Sequence, residues 1–164
     1  MSDRPRLIVD NSVLSAFHNA GWLDGPRIWK SRFNLVTTQR MWEDEFRPHH
    51  SQKKLPRWLS TVSVDLTRSE SDVPNRLSLH DWSGVIAAES ADGSVLVTND
   101  ADMKDTAERR GIETLWGTAF AIQTFQKCGI SVESFEDGVE NYLDDVTLTD
   151  RVVAEVRSTR KHPE

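Results

Sequence analysis

The feature that most constrains the fold is a regular alternation of short apolar runs with segments of helical character. Runs rich in Val, Ile, Leu and Thr predict strands at Arg6–Val9, Asn34–Thr38, Val62–Leu66, Ser94–Thr98 and Ile112–Trp116. Strands that alternate with helices form βαβ units, whose parallel sheet is covered by helices on both faces. The expected fold is therefore a three-layer α/β/α domain with a central, mostly parallel sheet of four or five strands.

Residues that favour the first and last turns of helices lie between these runs and predict where the helices begin and end. Proline suits a first helical turn, Ser and Asp suit the N-cap, and Gly suits the position after the last turn. These signals predict helices that begin at Ser12, Pro26, Gln39, Ser78 or Asp81, Met103 and Gly117. Two terminal helices are expected over Glu133–Leu143 and Asp150–Arg157. We therefore expect an α/β domain over residues 1–130 and a helical extension over residues 131–164, packed on the same domain.

Composition excludes several classes of protein. The chain has 164 residues, of which 37% are hydrophobic, which is enough for one core. No stretch approaches the roughly 20 apolar residues of a membrane span, and Met1–Arg6 lacks the apolar run of a secretory signal. Cys128 is the single cysteine, so a disulfide within the chain and a multi-cysteine zinc site are both excluded. A cytoplasmic protein without a membrane partner is expected.

Acidic side chains follow the ends of two predicted strands and lie near the start of two helices. Asp10 comes directly after the first strand, and Asp100 and Asp102 follow the strand that ends at Thr98. Asp81 opens a helix, and Glu43 lies in the helix after Asn34–Thr38. Because parallel strands end at one edge of the sheet, where ligand sites of such folds form, we expect these acids to meet there. Each acid alone is also consistent with a turn, a helix N-cap or a solvated helix face.

Several carboxylates at one place repel each other and raise each other's pKa, and a divalent cation relieves that repulsion. Oxygen ligands without Cys or His favour Mg²⁺ or Mn²⁺, which commonly complete their coordination with water and substrate phosphate. Such ions activate water and stabilise a leaving oxygen in phosphodiester hydrolysis. This inventory of acids therefore points to metal-dependent hydrolysis of a phosphodiester more than to redox or acyl-transfer chemistry.

Four segments, in order, resemble the PIN-domain family of metal-dependent ribonucleases. LIVDNSVLSAF (7–17) resembles its opening strand with Asp-x-Ser/Thr, and VTTQRMWEDEF (36–46) its strand and glutamate-bearing helix. LSLHDWSGVIAAESADGSVLVTNDADM (77–103) resembles its Asp-initiated helix and the strand leading into Thr-x-Asp-x-Asp. GIETLWGT (111–118) resembles the strand that usually follows. Together these segments cover most of residues 6–125.

The resemblance implies an Mg²⁺- or Mn²⁺-dependent endoribonuclease. It implies catalytic metal ligands at Asp10, Glu43, Asp81 and Asp100, an additional ligand at Asp102, and supporting hydroxyls at Ser12 and Thr98. Glu45 lies in the same segment as Glu43, which is preferred for its distance from the strand end. RNA is the implied substrate, and candidate protein partners are the antitoxin of a toxin–antitoxin pair and a second copy of the chain. The alternatives are a PIN-like module that binds RNA without cleaving it and, more weakly, another metal-dependent phosphatase.

A basic segment, Arg47–Arg57, holds four Arg or Lys, two His and no acid in a chain of net charge −6. It is expected to be a loop, and its candidate contacts to the RNA backbone are Arg47, Lys53, Lys54 and Arg57, with Trp42 or Trp58 as a stacking platform. The alternative is a solvated loop whose charges balance acidic neighbours. His49, His50 and His80 are expected to be exposed or packed rather than catalytic.

Overall fold

The computed structural model describes residues 4–19, 23–50, 54–66 and 73–127. Five parallel strands form one sheet in the order β3-β2-β1-β4-β5. They are β1 (Arg6–Val9), β2 (Asn34–Thr38), β3 (Ser60–Val62), β4 (Val95–Thr98) and β5 (Glu113–Trp116). The prediction of an α/β fold with a parallel sheet is confirmed. All five strands end at the same side of the sheet, which we call the carboxyl edge.

Helices connect these strands and cover both faces of the sheet. The α-helices are α1 (Asn11–Asn19), α2 (Arg47–His49), α3 (Leu79–Glu89), α4 (Ala101–Arg109) and α5 (Gly117–Lys127). A 3₁₀ helix spans Gly25–Ser31, and a π helix over Met41–Phe46 runs directly into α2. None of the helices within the described ranges is long and apolar enough to cross a membrane.

Alternate residues of β1 face two separate apolar layers. Leu7 and Val9 pack into the cluster that includes Phe17 of α1 and Phe120 of α5. Ile8 packs into the opposite cluster, with Trp82 of α3 among its members. Because both faces of the strand are buried, its sequence is apolar throughout rather than alternating. The three-layer arrangement follows from this.

One sequence prediction on the β3 side of the sheet was wrong in its bounds. β3 was expected at Val62–Leu66, but it ends at Val62, which pairs with Thr38 of β2. The apolar residues after it still pack against the cluster that contains Trp82, and Leu66 is buried there. Side chains therefore remain buried after strand pairing has ended. The alternation of apolar residues in this segment indicates burial and not strand hydrogen bonding.

The expected loop after Phe46 begins with the short helix α2. An ion pair between Glu43 and Arg47, at helical spacing, and Pro48 in its first turn are both compatible with continued helix. The predicted helices at Glu133–Leu143 and Asp150–Arg157, the extension over residues 131–164 and Cys128 lie outside the described residues.

Candidate functional site

Asp10 is the most deeply buried acid at the carboxyl edge. It follows β1 directly, and its backbone N–H donates to the carbonyl of Val97 in β4 at 3.0 Å. Its side chain is only 3% exposed. The pKa of Asp10 is raised from the ordinary 3.8 to about 6, chiefly by burial and also by the charges of Asp81 and Asp100, against the hydrogen bonds from Ser12 and Thr98, which lower it. Asp10 is thus a carboxylate whose charged form is costly.

Two hydroxyl groups hold the Asp10 carboxylate in place. Ser12 Oγ donates to Asp10 Oδ2 at 2.7 Å, and Thr98 Oγ1 donates to the same oxygen at 2.9 Å. Each hydroxyl also accepts a backbone N–H from the turn after β4: Ser12 from Asn99 at 3.3 Å, and Thr98 from Asp100 at 3.0 Å. The supporting positions predicted for Ser12 and Thr98 therefore lie against Asp10, where they orient it.

Asp100 and Asp81 are positioned by the starts of two helices. Asp100 is the N-cap of α4, and its Oδ1 accepts the N–H groups of Asp102 and Met103 at 2.8 and 3.2 Å. Asp81 lies in the first turn of α3, which Ser78 caps by accepting the Asp81 N–H at 3.1 Å. Burial raises the pKa of Asp81, and the charge of Asp100 raises it further. Both acids thus serve their helices and still interact with each other at the carboxyl edge.

Glu45 is the fourth acid at this place. The pKa of Glu45 is raised from 4.5 to about 7. Burial is the largest cause, and the charges of Asp10, Asp81 and Asp44 contribute the rest. Its Oε1 atom is buried and has no hydrogen-bond partner among the described residues. We refer to Asp10, Glu45, Asp81 and Asp100 as the acid cluster.

Glu43, the acid preferred from the sequence, lies elsewhere. Its carboxylate is 43% exposed and pairs with Arg47 at 2.6 Å. The structure therefore brings Glu45 rather than Glu43 to the cluster. A usable signal was present in the sequence: Met41, Trp42 and Phe46 are the apolar residues of this segment and are buried, and Glu45 lies on their side of the helix. Distance from the strand end was the poorer guide.

The side chain of Asp102 takes part in a surface ion pair rather than in the acid cluster. Its side chain is 48% exposed and its Oδ1 is 3.2 Å from Nη1 of Arg76, which also reaches Asp105 at 3.6 Å. The role of Asp102 in the structure is to form this surface ion pair in the first turn of α4, where an acid also interacts favourably with the helix dipole.

The basic segment is only partly as expected. Lys54 and Arg57 are exposed, Arg47 is engaged by Glu43, and Lys53 lies outside the described residues. The stacking platform is contradicted, because Trp42 and Trp58 are only 3% and 5% exposed. Trp42 stacks instead on Phe46, with ring centroids 4.5 Å apart. Neither tryptophan presents a ring to a base.

The histidines near the site make packing and polar contacts. His50 packs on Phe46 and His18 with ring centroids 4.3 Å apart in each case, and its Nε2 is 3.0 Å from Ser15 Oγ. His80 Nε2 lies 3.5 Å from Asp44 Oδ2. The contacts of His50 agree with the expectation that it is packed, whereas the charge of His80 acts on Asp81 of the acid cluster and lowers its pKa, against the larger effect of burial.

The acid cluster is an electrostatic unit rather than a finished metal cage. Across the described ranges, no three His, Cys, Asp or Glu side chains stand so that they could hold a metal ion as they are. The charges of the four acids nevertheless act on one another, and two of the four have their pKa raised close to neutral pH. Such an arrangement attracts cations and supplies groups able to exchange a proton near pH 7.

A comparison of the chain with models of known protein families found no match, and a comparison with curated proteins found none either.

Proposed function

We propose that this chain is a metal-dependent endoribonuclease of the PIN type, which hydrolyses RNA phosphodiester bonds at the carboxyl edge of its sheet. The observation that carries the proposal is the acid cluster, in which four separate segments bring carboxylates close enough for their charges to interact. Grouping ionised acids in this way is unfavourable unless a bound cation or proton neutralises part of their charge. Strongly perturbed carboxylates of this kind are typical of functional sites.

The oxygen atoms of the acid cluster are of the type that binds Mg²⁺ or Mn²⁺. All four groups offer carboxylate oxygens, which are the ligands these ions prefer. Glu45 Oε1 is buried without a hydrogen-bond partner in the described structure, and the α4 cap uses only Oδ1 of Asp100. The ion would be held by Asp10, Asp81 and Asp100, with Glu45 beside it. Because Mg²⁺ commonly keeps several waters, a closed cage of protein ligands is not required.

Different residues of the acid cluster and its surroundings have different roles in the proposed hydrolysis. Ser12 and Thr98 both donate to Oδ2 of Asp10, so its other oxygen is not engaged by either hydroxyl. Glu45 has a pKa of about 7, so near neutral pH it is about half ionised and is suited to accept a proton from an attacking water. A bound ion would lower the pKa of such a water and stabilise the leaving oxygen.

The choice of RNA as substrate rests on the resemblance of residues 7–17, 36–46, 77–103 and 111–118 to PIN domains. On the same ground we extend the proposal to an antitoxin or a second copy of the chain as protein partners, and the composition of the chain supports a cytoplasmic setting. The exposed cations Lys54 and Arg57 are the described residues of the basic segment that we propose contact the RNA backbone.

A second candidate function is RNA binding without cleavage. It is favoured by one observation: within the described residues, no three potential ligands already stand in a metal-binding arrangement. The two functions differ in what divalent metal does. Cleavage requires it, whereas a binding module would hold RNA equally well in its absence.

The deciding experiment measures Mn²⁺-dependent cleavage of a panel of structured RNAs by the purified full chain. We expect cleavage that disappears with EDTA, and a fall of about 10²–10⁴-fold for Glu45→Gln. Asp24→Asn is the matched control, because Asp24 is exposed and its side chain makes no capping hydrogen bond. RNA that is bound but uncut in Mn²⁺ would establish the binding module instead. Equal cleavage by Glu45→Gln and the wild type would remove Glu45 from the mechanism.

A further inference from the structure

A polar cleft of about 470 Å³ opens at the carboxyl edge beside the acid cluster. It is bounded by the end of β2, the π helix, the residues after β3 and one side of α3. The principal lining residues are Gln39, Arg40, Glu43, Asp44, Ser63 and Ser83. Small-molecule sites occupy about 300–1,000 Å³, so the cleft has room for one nucleoside.

The cleft and the acid cluster share two helical segments. Glu43 and Asp44 line the cleft and directly precede Glu45 of the cluster. Ser83 lines the cleft two residues after Asp81 in α3. The charge of Asp44, which lines the cleft, also acts on Glu45 of the acid cluster. A base in the cleft would therefore belong to a nucleotide next to the phosphate at the cluster.

Hydrogen-bond donors line part of the cleft. Gln39 Oε1 accepts from Ser63 Oγ at 2.8 Å, which fixes the amide and leaves its two N–H groups as donors. Arg40 is exposed, and its guanidinium has no hydrogen bond or ion pair within the described residues. It offers five N–H donors in a planar fork.

Hydrogen-bond acceptors line another part of the cleft. Glu43 uses Oε2 to bind Arg47 at 2.6 Å, and Asp44 has Oδ2 at 3.5 Å from His80 Nε2. Each of these carboxylates has a second oxygen that makes neither of those contacts. The cleft therefore pairs a cationic donor with two anionic acceptors.

We propose that this cleft binds the guanine base of the nucleotide adjoining the scissile phosphate, and so sets the sequence preference of the ribonuclease activity on which this inference rests. Guanine presents O6 and N7 as acceptors on one edge, which arginine reads in a bidentate manner. Its N1–H and amino group are donors suited to a carboxylate. Adenine replaces O6 by an amino donor, and the pyrimidines have no N7, so none of them matches both sets of partners.

The assignment gives Glu43 a role that fits its position. Glu43 faces the cleft and binds Arg47, away from the acid cluster. Glu43 and Arg40 are the specificity-determining residues in this proposal. Glu43 accepts hydrogen bonds from the base, and Arg40 donates hydrogen bonds to it.

The binding test is independent of cleavage. The full chain is titrated with GMP, AMP, CMP and UMP, without metal, while backbone amide signals of Gln39, Ser63 and Ser83 are followed by NMR. We expect GMP to bind at least about 5-fold more tightly than the others, the lower end of the discrimination typical of a bidentate base contact. Arg40→Ala should reduce the preference to within about 2-fold. Arg27→Ala is the matched control, since Arg27 is also exposed but does not line the cleft.

Equal affinity for all four nucleotides, or a preference for GMP that survives Arg40→Ala, would overturn the proposal. Signal changes confined to residues outside the cleft would overturn it as well. A second arm measures Mn²⁺-dependent cleavage of RNAs that differ only by a single guanine, with cuts expected next to that base. Absence of cleavage of any RNA would reject the proposed function alone, because GMP preference in the first arm decides the cleft separately.

Discussion

Replacement of Asp10 by Asn should stabilise the fold at pH 8 and leave its stability nearly unchanged at pH 4. Asp10 is 3% exposed, and its pKa is raised from 3.8 to about 6, chiefly by burial. At about 1.4 kcal/mol per pH unit, that rise corresponds to about 3 kcal/mol against the folded state when the carboxylate is ionised. The isosteric amide carries no charge and can still accept from Ser12 and Thr98.

The sign of the pH dependence follows from proton binding. Between pH 3.8 and about 6, folded Asp10 binds its proton more tightly than the unfolded chain does, so the wild type loses stability as pH rises through this window. Below it, both states are protonated and no penalty remains. The advantage of Asp10→Asn should therefore grow from about 0.5 kcal/mol at pH 4 to about 3 kcal/mol at pH 8.

Urea unfolding in EDTA, followed by tryptophan fluorescence, measures this difference. With a slope of about 1–3 kcal/mol/M, the midpoint of Asp10→Asn should lie about 1 M or more above that of the wild type at pH 8. The control Asp24→Asn replaces an exposed acid and should show no gap at either pH. A gap of equal size at pH 4 and pH 8, or an Asp10→Asn protein less stable than the wild type at pH 8, would refute the reasoning.

Two further predictions concern the surroundings of the cluster. Ser12→Ala removes a hydrogen bond that lowers the pKa of Asp10, so in EDTA the loss of stability with rising pH should extend to higher pH than in the wild type; an unchanged upper end of this pH window would count against that hydrogen bond. Gly117→Ala would place a Cβ 2.4 Å from Asn99 Oδ1 and 2.7 Å from Val13 Cγ2, and should cost about 1–3 kcal/mol in urea unfolding. Gly84→Ala meets only the flexible ends of two methionines and should cost less; the reverse order of stability would contradict the packing described.

The positions of Asp10, Asp81 and Asp100 near one edge of the sheet could be predicted from the strand pattern and from where the strands end and the helices begin. Each lies where the chain leaves a strand or enters a helix, and such points are marked in sequence by a change from apolar to polar residues. The parallel sheet then brings these points to one edge. Local sequence thus carried long-range information, because the topology of an α/β fold is highly constrained.

Glu45 could not be chosen by the same means. Three consecutive acids, Glu43, Asp44 and Glu45, offer no local difference at a strand end, and the segment winds as a π helix rather than an α-helix. The choice is made by packing of Met41 and Phe46 against the domain, which turns Glu45 inward. The end of β3 was missed for a related reason, since burial of Leu66 does not require a strand partner.

The Thr98 hydroxyl makes two hydrogen bonds. It accepts the N–H of Asp100 at the start of α4, and it donates to the carboxylate of Asp10 at the end of β1. Fraying of that helix start would therefore release the carboxylate, and release of the carboxylate would loosen the helix start. Site and scaffold at this junction are expected to open together, as one cooperative unit in native-state hydrogen exchange. The arrangement of the Asp10 carboxylate therefore has no stability separate from that of the junction between β1 and β4.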